Sequence, residues 1–130
     1  MLFIHPAGMD RDLYASALHN AGFATTVDES VDSAAGALQT AELPDVIVLE
    51  LRPEPIAAWS FVERQRVAAP DVPFVILTSM IRPDRAYRLR AQALGCAAFV
   101  AKPCSLPLLV DVVSRVRQGT RGLEISRYDV

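Results

Sequence analysis

The stretch PDVIVLEL at residues 44–51 decides the architecture. Val46, Ile47, Val48 and Leu49 are apolar without a break, as in a strand buried on both faces, and their β-branched members suit a pleated backbone. Pro44 stops any preceding helix, and Glu50 sets a carboxylate at the strand's carboxyl end. Outward from this stretch, Phe74-Val75-Ile76-Leu77 repeats the pattern, Leu2-Phe3-Ile4 and Ala98 to Ala101 give shorter strands, and Ala24 to Val27 reads as a strand of β-branched type. Helical spacing fills the intervals. Leu13, Tyr14, Ala17, Leu18 and Ala21 form one stripe, closed by Gly22. Ser30 caps a second with Val31, Ala34, Ala35 and Leu38, and Ala58, Phe61, Val62 and Gln65 mark a third beside Trp59. Ala86, Leu89, Ala93 and Leu94 mark a fourth, ended by Gly95. Ser105 caps a fifth, with Pro107 in its first turn and Leu109, Val112, Val113 and Val116 facing inward.

Five strand–helix units with short connections predict a doubly wound α/β fold. Right-handed crossovers give a five-stranded parallel sheet of order 2-1-3-4-5 with helices on both faces. The domain spans residues 1–118; the remainder, GTRGLEISRYDV at 119–130, carries no strong period and reads as a C-terminal tail.

Composition agrees with one domain. The 130 residues are 52% hydrophobic and 22% charged, enough to fill a single core and too apolar for intrinsic disorder. No apolar run approaches the ~18 residues of a membrane span, and MLFIHPAGMD lacks the basic lead of a signal peptide, so a soluble cytoplasmic domain is expected. Two cysteines, Cys96 and Cys104, neither staple a scaffold nor show metal spacing. The net charge of −2 argues against general nucleic-acid binding, but residues 1–60 carry −7 and residues 61–130 carry +5, which points to an acidic partner for the second half. Twelve of the thirteen bases are arginine; the single lysine is Lys102.

Ligand chemistry in such folds gathers at the carboxyl ends of the strands. Those positions hold His5-Pro6, Glu50-Leu51-Arg52, Thr78-Ser79 and Lys102-Pro103. No glycine-rich phosphate loop follows the first strand, no nucleophile elbow occurs, and no histidine or cysteine spacing offers a metal site. No catalytic residue is assigned, and an enzyme is not expected. Glu50, Thr78 and Lys102 instead suggest a small polar network across three strand ends.

AGF at 21–23, PDVIVLEL at 44–51, DVPFVILTS at 71–79 and FVAKP at 99–103 together resemble the receiver domain of bacterial two-component response regulators, a flavodoxin-like fold. The resemblance covers residues 1 to about 118. It implies a phospho-accepting aspartate at the position of Glu50, the family's hydroxyl at Thr78, its lysine and following proline at Lys102-Pro103, and its aromatic switch residue at Phe99. It also implies a Mg²⁺-holding acidic pair where this chain has His5 and Pro6, and a metal-ligating carbonyl at Arg52. Imidazole suits Mg²⁺ poorly and a proline ring offers no ligand, so no cofactor and no Mg²⁺ are expected. Asp10 and Asp12 lie in the first helical turn, too far along to replace both carboxylates. Glu50 is one methylene longer than aspartate, which displaces its carboxylate by ~1.3–1.5 Å. These departures describe a degenerate site, or pseudo-receiver, in which Glu50 makes a fixed charge-assisted bond to Lys102 with Arg52 as a competitor. The expected function is an atypical receiver in two-component-type signalling, independent of phosphorylation. The alternative is a phosphorelay receiver phosphorylated at Glu50 or another residue by a histidine kinase.

Thr78 and Lys102 stand two residues further apart than in a typical receiver, which predicts a longer loop at MIRPD, and Glu54 and Ala58 replace the family's usual Pro and Gly. Arg82, Arg85, Arg88 and Arg90 cluster around the fourth helix, and Arg115 and Arg117 follow in the fifth. In receivers the face made by the fourth helix, fifth strand and fifth helix carries dimer or target contacts. The resemblance therefore implies a protein partner (a histidine kinase, regulator or effector) or a homodimer through this face; hydropathy and net charge argue against a membrane and against nucleic acid. Cys104 beside the site reads as an inert thiol.

Overall fold

The computed structural model describes residues 1–39, 42–52, 55–78 and 85–125. In chain order the elements are β1 (Leu2–Ile4), α1 (Met9–Asn20), β2 (Thr26–Asp28), α2 (Val31–Leu38), β3 (Ile47–Glu50), α3 (Pro55–Ala68), β4 (Phe74–Thr78), α4 (Arg85–Ala93), β5 (Ala98–Ala101), α5 (Leu106–Arg117) and β6 (Leu123–Ile125). The sheet runs β2-β1-β3-β4-β5-β6 with every neighbouring pair parallel, so the expected 2-1-3-4-5 order stands with one strand added at its end.

Alternation along the strands divides the core in two, because successive side chains leave a strand on opposite faces. Phe3, Val48, Val75, Leu77 and Val100 face one way, onto Tyr14 and Leu18 of α1 and Leu109, Val112, Val113 and Val116 of α5. Leu2, Ile4, Ile47, Leu49, Phe74, Ile76 and Phe99 face the other way, onto Ala34 of α2, Trp59, Phe61 and Val62 of α3, and Ala91 of α4. Ser30 and Ser105 cap α2 and α5 as expected, each side chain accepting the backbone N–H three residues on. Gly22 and Gly95 end α1 and α4 at φ of 99° and 71°, a backbone conformation that side chains with a Cβ avoid.

Three local expectations need correction. β2 occupies Thr26–Asp28 rather than Ala24 to Val27; it is an edge strand with Thr26 and Val27 exposed, so no buried face pins its register from the sequence. Leu13 and Leu89, placed on inner stripes, are 53% and 51% exposed, because α1 buries only Tyr14 and Leu18 and α4 only Ala91. The sheet has six strands, not five. Gly119 and Gly122, at φ of 111° and 73°, turn the chain back so that Leu123 and Ile125 pack beside the α5 layer; three residues are too few for a period to show. The MIRPD loop, Ser79, Arg82 and Glu54 lie outside the described residues. Among the described residues, no helix is long and apolar enough to cross a membrane.

Candidate functional site

The carboxyl edge gathers its charge around one atom, the Nζ of Lys102. The residue follows β5, its amide donates to Thr78 O at 2.6 Å, and its side chain is 5% exposed. The Lys102-Pro103 peptide is cis. Nζ lies 2.7 Å from His5 Nε2, 3.0 Å from Asp10 Oδ2 and 3.0 Å from Glu50 Oε2, with the Tyr14 ring centroid 5.6 Å away. An ammonium has three N–H donors, and three partners surround this one. Glu50 Oε2 lies off hydrogen-bond alignment, so that contact is an ion pair rather than a directed bond. Its other oxygen, Oε1, accepts the backbone N–H of Arg52 at 3.0 Å.

His5 sits immediately beyond β1, buried, with the Phe3 ring edge-on to it. Its Nδ1 lies 2.8 Å from the carbonyl of Pro6. A carbonyl only accepts, so Nδ1 carries the hydrogen and Nε2 presents a lone pair to Lys102.

Glu50 and Lys102 thus meet as an ion pair rather than through the charge-assisted hydrogen bond expected from the sequence, and His5 joins them. Arg52 does not compete through its guanidinium, as the sequence reading supposed: its amide binds Glu50, and its exposed side chain makes no ion pair among the described residues. A turn at the strand end aims a backbone N–H at the carboxylate more directly than a long side chain folds back. Pro6 contributes only its carbonyl. Thr78 stays out of the cluster; its hydroxyl is fully buried and finds no hydrogen-bond partner among the described residues. Phe99 points into the core with Ile76 and Trp59.

Asp10 enters the site, which the sequence reading did not foresee. The Lys102 hydrogen bond is the main reason its carboxyl is held below the ordinary value of 3.8. The long lysine stem bridges the gap that a carboxylate in the first helical turn leaves. Asp10 and Tyr14 are four apart and share a helix face, a spacing visible in the sequence. Asp12 points elsewhere, to Arg11.

Burial pushes Tyr14 up to about 12 and the Cys96 thiol up to about 12, and raises Cys104, whose carbonyl accepts from Tyr14 Oη at 3.4 Å. Little thiolate exists at neutral pH. Iodoacetamide at pH 8 is expected to alkylate Cys96 on the order of a thousandfold more slowly than a free thiol, reaching the free-thiol rate in denaturant. Labelling at the free-thiol rate in the folded protein would contradict the burial.

The residues do not fit Mg²⁺. An octahedral ion needs oxygen donors at about 2.0–2.1 Å. Here the two carboxylates, Asp10 and Glu50, already converge on an ammonium, and the flanking groups are an imidazole and a proline. A cleft of about 360 Å³ opens beside the cluster, lined by His5, Glu29, Asp32, Glu50 and Arg52. Away from the cluster, Arg90 pairs with Glu63, Arg115 with Asp111 and Arg117 with Asp45, whereas Arg85 and Arg88 on α4 make no ion pair among the described residues. The Nε of Arg88 is buried and unpartnered.

No protein-family model matches the chain, and no curated protein does. Solved structures do. A response regulator from Thermotoga maritima superimposes with a TM-score of 0.77 at 17% identity, covering 91% of this chain and 97% of that one. The chemotaxis protein CheY4 of Vibrio cholerae gives 0.77 at 20% identity over 88% and 95% of the two chains. A two-component response regulator of the LuxR family from Aurantimonas gives 0.81 at 19% identity over 98% and 89%. The chain has the fold of a response-regulator receiver domain.

Proposed function

We propose that this chain is an atypical receiver domain of two-component-type signalling that works without phosphotransfer or enzymatic activity and passes its signal through protein–protein contacts. One observation supports this above others: the Lys102 ammonium sits between Asp10 and Glu50. Phosphoryl transfer relies on a positioned acceptor and on a metal that neutralises developing charge. Glu50 is held at both oxygens, by a hydrogen bond from the Arg52 amide and by the ion pair with Lys102, and Lys102 is already engaged by His5 and Asp10 as well. An incoming phosphoryl group would have to break this arrangement with no metal to help it. The partner face in this reading is the basic one. Arg85 and Arg88 on α4 lack ion-pair partners among the described residues, and unpaired guanidinium groups favour carboxylates or phosphates on another protein.

Incubation with Mg²⁺ and acetyl phosphate, followed by intact-mass measurement beside an ordinary receiver, tests the reading. No phosphoryl adduct is expected on this chain while the ordinary receiver is labelled. A stoichiometric adduct overturns it, and the Glu50→Gln variant tells whether Glu50 or another residue carries the group.

A further inference from the structure

The cluster holds two carboxylates, Asp10 and Glu50, against one ammonium, so it is one positive charge short of balance. The His5 imidazole touches that ammonium, with its Nε2 2.7 Å away as the acceptor that an ammonium donor requires. The same nitrogen lies 3.6 Å from Asp10 Oδ2.

We infer that His5 is a proton-operated switch, in which uptake of one proton at Nε2 converts the three-partner cluster on Lys102 into two separate pairs, His5 with Asp10 and Lys102 with Glu50. The inference rests on the reading of a site not driven by phosphate and supplies its stimulus.

The steps balance. A proton from solvent occupies the Nε2 lone pair, and the Lys102 N–H that pointed there has lost its acceptor. Two donors cannot share a 2.7 Å contact, so Lys102 and His5 must part. Asp10 is the nearest anion to the new N–H. A charge-assisted bond forms once its oxygen, 3.6 Å away, closes by about 0.8 Å. Lys102 keeps Glu50, whose Oε1 remains on the Arg52 amide.

The remaining surroundings favour the change. Asp10 is held below its ordinary range, so it is anionic when the imidazole charges. From β2, Asp28 is engaged with the Ser33 hydroxyl, and its carbonyl binds the His5 amide. Glu29 and Asp32, across the cleft, add negative potential, and Arg52 is the one cation among the described residues that line it. Tyr14, packed under Lys102, stays protonated with its pKa pushed up to about 12. His5 is tied by Nδ1 to Pro6, so a charged ring keeps its orientation while its other nitrogen changes partner.

Ring-nitrogen NMR of the whole chain across a pH series tests this, with exposed His19 giving the second set of ring signals. At neutral pH the His5 ring is expected to carry its proton on Nδ1. On acidification Nε2 is expected to protonate in one step, with the Lys102 ammonium signals moving at the same midpoint. In Asp10→Asn, a substitution at an exposed position, that midpoint is expected to fall by about one pH unit, because the anion that receives the new N–H is gone. A His5 ring that does not titrate while the protein stays folded overturns the inference. So does a neutral ring protonated on Nε2, or a midpoint that Asp10→Asn leaves unchanged. The acetyl phosphate experiment reads separately: an adduct beside an intact His5 titration removes the phosphate-free reading alone, and no adduct beside a silent His5 removes the switch alone.

Discussion

Lys102→Met is expected to destabilise the domain by about 3–5 kcal/mol, which is much of the total a domain of this size possesses. Methionine replaces most of the lysine stem, so packing against Tyr14 is largely kept and the loss is electrostatic. Glu50 is left buried, with its Oε1 still on the Arg52 amide and its Oε2 facing nothing positive. His5 loses its donor at the same time. Urea unfolding followed by circular dichroism measures the cost. The double variant Lys102→Met with Glu50→Gln removes the stranded charge and is expected to recover more than half of the loss. A single variant costing under about 1 kcal/mol would mean that the ion pair is solvated rather than structural.

Phe61→Ala is the second large effect, again about 3–5 kcal/mol, and its cause is volume rather than charge. Phe61 is fully buried on α3 and meets Phe74 of β4 edge to face, with ring centroids 6.1 Å apart and planes at 81°. The site lies between helix and sheet, where neither can collapse to fill a benzyl-sized void without breaking other packing. Val67, on the same helix and 86% exposed, is the internal control: Val67→Ala is expected to change stability by less than about 0.5 kcal/mol in the same urea assay. Equal losses at the two positions would place the buried face of α3 elsewhere.

The strands that lie in the centre of the sheet were legible, and those at its edges were not. VIVL and FVIL are buried on both faces, so unbroken apolarity marked β3 and β4 without help from context. β2 and β6 are edge strands of three residues, half in water, where neither period nor composition separates strand from loop. The site divided likewise. Glu50, Lys102 and His5 stand at strand ends, which topology alone brings to one edge. Asp10 was missed because a helix position was judged by chain distance, whereas the reach of a lysine side chain decides the contact. The guanidinium of Arg52 was credited with a bond that its own amide makes. Backbone donors leave no residue-type signal, so that error has no remedy in the sequence.

Because every strand pair in the sheet is parallel, no neighbouring strands are joined by a hairpin, and each must wait for a crossover. β1 waits longest for its inner neighbour: Leu2, Phe3 and Ile4 pair with Ile47, Val48 and Leu49, some 45 residues later. At synthesis rates of about 5–20 residues per second, that apolar segment spends roughly 2–9 s without its central partner. During that interval the apolar faces of β1 lack their central neighbour, and this stage of synthesis is where the fold is most open to a chaperone.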